Sequence, residues 1–446
     1  MKLVLIIIIS LTFVQHVRTQ EQAHNLRVSW REVVRDDNFV PESILMAPSS
    51  GNDVWLVTNW RSRSRDTILD KWTVHKVADS GQAELLAECY WLIKGPAPAI
   101  DVSRLTDVSE INAICAAPND ELVMVGSNPN YRPQLLRMGN TGQQLSRHDI
   151  EFEIEKGVIV TNTDRAIIPK NLGTLEVASI IIDASGCFLM GAKEITYAND
   201  QDPGNNDGWI LRMGQNYLRL WSRTYDFNQY DYIWSGVVVA DGAIVLGVSS
   251  GEKDQRLGLS TDSKITMLQC DSEGNILEKK ILGGRYPAIT SMVDGKTCVV
   301  YDKASAYNAD VWIAIFDKNL VAESEKRIVN INQKTVLGTI VPAITRFNAS
   351  RLQSGDVLVA GWMLVGIRES DLVRDYTLLI RQFSSDGIEK GSLEIKPNIP
   401  VGGPVQIACQ SNWACLGWIA IDQDTESQEV NLLRLDVADA VRQRVE

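Results

Sequence analysis

The stretch NNDGWILRMGQNYLRLWSRTYDF, residues 205–227, holds two apolar runs joined by a polar hinge, opened by Asp-x-Trp and closed on a second tryptophan, Trp221. A related arrangement returns as NADVWIAIFDKNLVAESEKRI around Trp312. Short β-branched and aromatic runs bounded by Asp-Gly, Ser-Gly or Asn-Asp read as strands joined in hairpins. Apolar residues spaced by three and four, the mark of an amphipathic helix, are almost absent. The chain therefore reads as nearly all β, and a recurring hairpin calls for a search for repeats.

One hairpin recurs as SILMAPSSGNDVWLVT, NAICAAPNDELVMVG, ASIIIDASGCFLMG, SGVVVADGAIVLG, ITSMVDGKTCVV, RLQSGDVLVAG and VQIACQSNWACLG. Their second runs end at Thr58, Gly126, Gly191, Gly247, Val300, Gly361 and Gly417, at spacings between 53 and 68 residues. Each is followed by a polar loop and a second hairpin, of which residues 205–227 are one example. The unit is four strands, here lettered a to d. Antiparallel four-stranded units that close radially form a β-propeller. The expected fold is all-β, a seven-bladed β-propeller with four antiparallel strands per blade. The Asp of the opening motif ends the b–c loop, where its short side chain can accept free backbone N–H groups. Trp72, Trp209, Trp221 and Trp312 are expected in the core between blades.

A propeller must join its first and last blades, since an open ring leaves two sheet faces bare. NLRVSWREVVRD, residues 25–36, matches a strand d when set against YLRLWSRTYD. Leu26 to Val34 is thus expected as the outermost strand of the last blade, paired with EVNLLRLDV. The alternative is that the C-terminal AVRQRVE fills that place.

Units reading Asp-x-(Trp), a basic position, a turn and a hairpin around Asp-Gly resemble the degenerate repeats of secreted β-propeller proteins with repeats of about 60 residues. The resemblance implies a fold and leaves the ligand open. The Gly-His with Trp-Asp signature, the Gly-Gly pair of kelch repeats and the Tyr-Trp-Thr-Asp box are all missing.

Lys2, the apolar run from Leu3 to Val14, and small residues at Val17 and Thr19 have the form of a secretory signal over residues 1–19. Residues 20–446 are then expected as a single propeller domain, secreted or extracytoplasmic, and periplasmic if bacterial. The run is too short to span a membrane, which takes roughly 20 apolar residues. The whole chain carries 44 basic and 56 acidic residues, a net charge of −12. That excess of acid disfavours nucleic acid and anionic membrane as partners.

Seven cysteines sit mostly in strand-like apolar contexts, where buried free thiols are expected. ACQSNWAC is the exception: a hairpin turning at Ser411 to Trp413 would set Cys409 opposite Cys415 as a disulfide.

Candidate chemistry is sparse. GVSSG, residues 247–251, matches Gly-x-Ser-x-Gly, but that elbow needs a helix after the strand and a polar loop follows Ser249. Asp200, Asp202 and Asp207 in NDQDPGNND are weak calcium candidates, without the bidentate Glu of a helix–loop–helix site. No other cofactor is implied. The boxes of sialidases and quinoproteins are missing, so no catalytic motif is read and an enzyme is the less favoured class. A propeller-type glycosidase or lyase is the alternative, since paired carboxylates close only in space. The favoured reading is a monomeric binding module for a protein or glycan ligand. Its a–b and c–d turns read as short and its b–c connections as long, and loops on a rigid scaffold carry binding residues. Those loops hold Arg61, Arg63, Arg65, Tyr131, Arg132, Tyr197, Lys253, Arg256, Tyr307, Arg368 and Arg374. The sequon at Asn348 would be glycosylated only in an exposed, eukaryotic setting.

Overall fold

The computed structural model describes residues 22–23, 26–63, 68–94, 106, 108–127, 133–150, 175–195, 205–227, 230–239, 242–251, 264–304, 308–332, 335–336, 339–340, 347–367, 374–396, 399–400, 404–421 and 427–437. Among these residues, strands make up nearly all regular structure, with one 3-10 turn at Val293–Gly295.

Each blade is an antiparallel meander. Blade 1 comprises Phe39–Pro48, Val54–Ser62, Ile68–Val77 and Ala83–Lys94. Blade 2 comprises Glu110–Ala116, Leu122–Ser127, Pro133–Met138 and Gln144–Asp149. Blades 3 and 4 run through Leu175–Asp183, Gly186–Ile195, Asn205–Gly214 and Arg219–Tyr225, then Tyr230–Val238, Ile244–Gly251, Lys264–Cys270 and Ile276–Gly283. Blade 5 is Arg285–Ser291, Thr297–Ala304, Asn308–Phe316 and Ala322–Asn332. Blade 6 is Phe347–Arg351, Val357–Ile367, Arg374–Phe383 and Glu389–Ile395. Blade 7 takes Gln406–Cys409, Trp413–Ile421 and Gln428–Val437, and its outer strand is Leu26–Val34.

The a strands pack on one another in cyclic order, blade 1 on 2 through to blade 7 on 1, which closes the ring. The molecule is an all-β, seven-bladed propeller of four-stranded antiparallel blades. The spacing argument holds at residue level. Thr58 pairs with Ile44, Gly126 with Ile111, Gly191 with Val177, Gly247 with Ser235, Val300 with Ala288, Gly361 with Phe347 and Gly417 with Gln406, each against strand a of its own blade. At Gly191 the reason for glycine is plain, because a Cβ would collide with the Glu176 carbonyl oxygen of strand a.

Residues 205–227 form strands c and d of blade 3. Trp209 is buried in strand c, as is Trp72 in blade 1. Trp221 is half-buried on strand d, and its Nε1–H reaches across to the Ser272 carbonyl of blade 4 at 3.1 Å. Trp312 is half-buried against the core between blades 4 and 5. In blades 4 and 5 the c–d hinge forms because an Asp caps its own turn, a place taken by Asn216 in blade 3. Asp271 Oδ1 accepts the Asn275 N–H at 2.8 Å, and Asp317 Oδ1 accepts that of Val321 at 2.8 Å.

The ring is closed where the N-terminal segment meets the C-terminal one, with Leu26 opposite Val437 and Val34 opposite Val430. Residues 440–446, the alternative occupant, lie outside the described residues. Leu26, Val28, Trp30 and Val34 are all buried, and Trp30 Nε1–H donates to the Asp79 carbonyl of blade 1 at 2.9 Å.

Two expectations need correction. Cys409 and Cys415 are free thiols. The Gln410 N–H bonds to the Trp413 carbonyl at 2.8 Å, so the turn holds Ser411 and Asn412 only. Cys409 then opposes Ala414 and Cys415 opposes Ala408. A one-residue change of register sends the two sulfurs to opposite faces of the sheet, Cys409 toward blade 6 and Cys415 toward blade 1. The b–c connections are also not uniformly long: those of blades 1, 2 and 5 are short, and the longest connections are d–a, between Asp149 and Leu175 and between Lys94 and Glu110. Both loop sets nevertheless share one rim.

His75, buried in strand c of blade 1, has its pKa pushed down to about 4, first by burial and then by the Lys71 cation, with Glu88 opposing. The unfolded chain takes up this proton near pH 6.5, whereas the folded chain does so only near pH 4. This contribution to stability is therefore complete above pH 6.5 and is lost as pH falls toward 4, about 3 kcal/mol in all. Urea midpoints for wild type and His75→Gln at pH 7 and pH 4.5 check it. The wild type is expected to lose more stability on acidification than the variant, and equal losses would refute the assignment.

Candidate functional site

The a strands surround an axial cavity of about 490 Å3, lined by residues from all seven blades. Strand a begins at the rim where the d–a and b–c connections arrive, so its first residues form that mouth. At this level a register shift recurs in strand a of blades 1 to 5, leaving Glu42, Asn112, Ala178, Trp234 and the pair Tyr286–Pro287 as extra residues. A bulge re-aims the side chains beside it. Trp234 and Tyr286 thereby line the cavity.

Two residues ahead of the bulge stand Glu110 in blade 2, Glu176 in blade 3 and Tyr232 in blade 4, one equivalent position three times over. All three line the cavity. Tyr232 Oη donates to Glu176 Oε1 at 2.7 Å, which fixes both side chains. The Tyr232 ring lies 4.3 Å from that of Trp234, which in turn meets Tyr286 edge-on at 5.3 Å. Tyr286 has φ of 53°, a left-handed conformation costly for an aromatic residue. Its N–H donates to Ser249 Oγ at 3.2 Å. That contact, within strand b of blade 4, is where the Gly-x-Ser-x-Gly match lies.

Side chains also stitch the ring below the mouth. Asn59 of blade 1 donates to the Ile111 carbonyl at 2.8 Å and accepts the Ile111 N–H at 3.0 Å. Ser235 joins blade 4 to Pro287 and Ile289 of blade 5 in the same manner. Asn348 donates to the Val405 carbonyl of blade 7 at 2.7 Å from a channel-lining strand. The sequon amide is thus engaged in the ring and is not an exposed acceptor.

Electrostatically the mouth is acidic. Burial raises the Glu110 carboxyl above its ordinary range, and Glu42 and Glu176 push it further, while Arg61 opposes and Asp70 adds. Burial also raises Glu42 and Asp70. Among the described residues lining the cavity, Glu110 and Glu176 carry charge and none is basic.

The residues singled out in the loops fare differently. Arg61 is exposed and bonds Glu42 at 2.8 Å, so its charge is answered locally. Arg63 is exposed, with its N–H on the Asn38 carbonyl at 3.0 Å. Arg374 opens strand c of blade 6 opposite Ile367, and its side chain lies outside the described set. Arg65, Tyr131, Arg132, Tyr197, Lys253, Arg256, Tyr307 and Arg368 fall outside the described residues, as do Asp200 and Asp202. Asp207 is buried on strand c of blade 3, opposite Lys193. No group of three or more His, Cys, Asp or Glu suited to a metal occurs among the described residues. Sequence reasoning missed Glu110, Glu176, Tyr232, Trp234 and Tyr286 because it searched loops, whereas these lie on strands. The signal lay in the repeat: VSEINA, TLEVAS and YDYIWS carry their polar or aromatic residue at the same place.

No family model and no curated protein matches the chain. Among solved structures it is similar to a neuraminidase-like protein of A/flat-faced bat/Peru, at 9% identity over 95% of this chain and 96% of that one, with a TM-score of 0.39. It is similar to a thermostable family-43 glycoside hydrolase, at 11% identity over 66% and 96%, with a TM-score of 0.35. An ulvan lyase of polysaccharide lyase family 25 matches at 13% identity over 70% and 81%, with a TM-score of 0.42. Likenesses this distant carry no functional weight, and the fold assignment stands on the strand pairing and the closed ring.

Proposed function

We propose that the chain is an exported, monomeric binding protein whose ligand enters the axial cavity at the rim of b–c and d–a connections. One observation carries this reading: bulged strands from successive blades bring Glu110, Glu176, Tyr232, Trp234 and Tyr286 to one level of an open cavity. Concave sites with aromatic walls and a few convergent polar groups are where small ligands bind. The expected result of a screen against glycan, peptide and small-molecule panels is a ligand whose binding is lost in Trp234→Ala and kept in Lys318→Ala, on the opposite face. A ligand with the reverse pattern would overturn the assignment.

A second reading is a carbohydrate-active enzyme. It is favoured by Glu110, whose raised carboxyl stands beside a second carboxylate, Glu176, as an acid and its partner do in glycoside cleavage. Turnover of any polysaccharide, lost in Glu110→Gln, would establish it.

A further inference from the structure

We propose that the ligand of the axial cavity carries an organic ammonium group, held on the cavity-lining wall of Trp234 and Tyr286 beside the carboxylates of Glu110 and Glu176. The inference rests on the binding role proposed above and adds the ligand's chemical class.

The cavity wall supplies two kinds of partner for such a group. Trp234 stands between Tyr232 and Tyr286, with ring centroids 4.3 and 5.3 Å away and the Tyr286 ring at 78° to its own. The three rings touch one another, so what they offer a guest is the surface that Trp234 and Tyr286 turn to the cavity. Arg285 already lies 5.3 Å from the Tyr286 centroid, and a desolvated cation is the guest that aromatic faces attract most. Opposite charge is supplied from blades 2 and 3. Glu176 is oriented by Tyr232, so the same hydroxyl that fixes an aromatic wall also aims a carboxylate. Glu110 lies at the equivalent position one blade away, in the field of Glu42 and Glu176.

Neutral and anionic ligands fit less well. A phosphate or carboxylate would meet two like charges, with no basic residue among the described lining residues. A neutral sugar could stack on Trp234, but it would leave the mutual repulsion of Glu110 and Glu176 unrelieved. A cation removes that repulsion on binding. The net charge of −12 further raises the local concentration of cations at the mouth.

The test compares choline with 3,3-dimethyl-1-butanol, which keeps the shape and lacks the charge, by calorimetry and ligand-observed NMR on the intact protein. Choline is expected to bind at least about tenfold more tightly than its neutral isostere and to weaken as sodium chloride is added. Trp234→Ala and the double variant Glu110→Gln/Glu176→Gln are each expected to weaken choline by about tenfold or more. Their melting temperatures, read alongside Lys318→Ala, separate loss of site from loss of fold. Equal affinity for the two probes overturns the inference. So does failure of choline to bind when a neutral oligosaccharide binds and is lost in Trp234→Ala, a result that leaves the binding role standing. If every ligand found maps away from Trp234, both proposals fall.

Discussion

Deleting residues 20–36 is expected to lower the free energy of unfolding by at least about 4 kcal/mol, because four buried apolar side chains go with the outer strand of blade 7. Leu26, Val28, Trp30 and Val34 leave the core, and the backbone of Gln428–Val437 loses its partner along nearly its whole length. Trp30 also ties the last blade to the first through Asp79 and packs its indole on Gly81. The loss therefore reaches both sides of the closing seam. Urea denaturation and the melting temperature measure it, and a synthetic peptide of residues 20–36 added in trans should restore part of the difference. A truncated chain that melts with the wild type would show that blade 7 stands without this strand.

The second large effect is expected from Lys71→Met. The Lys71 ammonium is buried in blade 1, 2.6 Å from Asp36 and 2.7 Å from Glu88, and sits over the Phe39 ring at 4.4 Å. Removing one member of a buried ion cluster strands the others without compensation, which costs about 3 to 5 kcal/mol. Asp36 belongs to the connection between the closing strand and blade 1, so the variant loosens that connection too. Adding Asp36→Asn and Glu88→Gln to Lys71→Met is expected to recover most of the loss, since the stranded charges are then gone. A loss below about 1 kcal/mol in the single variant, in the range of exposed pairs, would mean that the carboxylates find water on their own.

The architecture was legible because its signals are local and repeated. Thr58, Gly126, Gly191, Gly247, Val300, Gly361 and Gly417 mark one strand position, and the match of residues 25–36 to a strand d located the closing partner. What could not be read was register. One residue decides whether Cys409 faces Cys415 or Ala414, and composition around Ser411 does not separate a two-residue turn from a three-residue one. The same limit hid the cavity wall. In a regular strand, Trp234 reads as one more core tryptophan, and only the shift between Ile233 and Ser235 turns it to the axis. Arginines in loops drew attention because charge in a loop is visible in sequence. That Arg61 is answered by Glu42 depends on another bulge, at Glu42 itself.

The joining of Leu26–Val34 to Gln428–Val437 has a consequence for the order of events during synthesis. Leu26 emerges before the other strands of the seven blades and its partner Val437 after them, while in each of the other blades the strands lie near one another in the chain. Six blades can therefore assemble as the chain lengthens, yet the closing segment has to wait, unpaired, until Gln428–Val437 has been made. A chain stopped short of Gln428 would leave that segment and the strand Trp413–Ile421 each with a bare edge. Synthesis of the last strand and closure of the ring are linked, so a fragment that lacks Gln428–Val437 carries its own exposed mark of being unfinished.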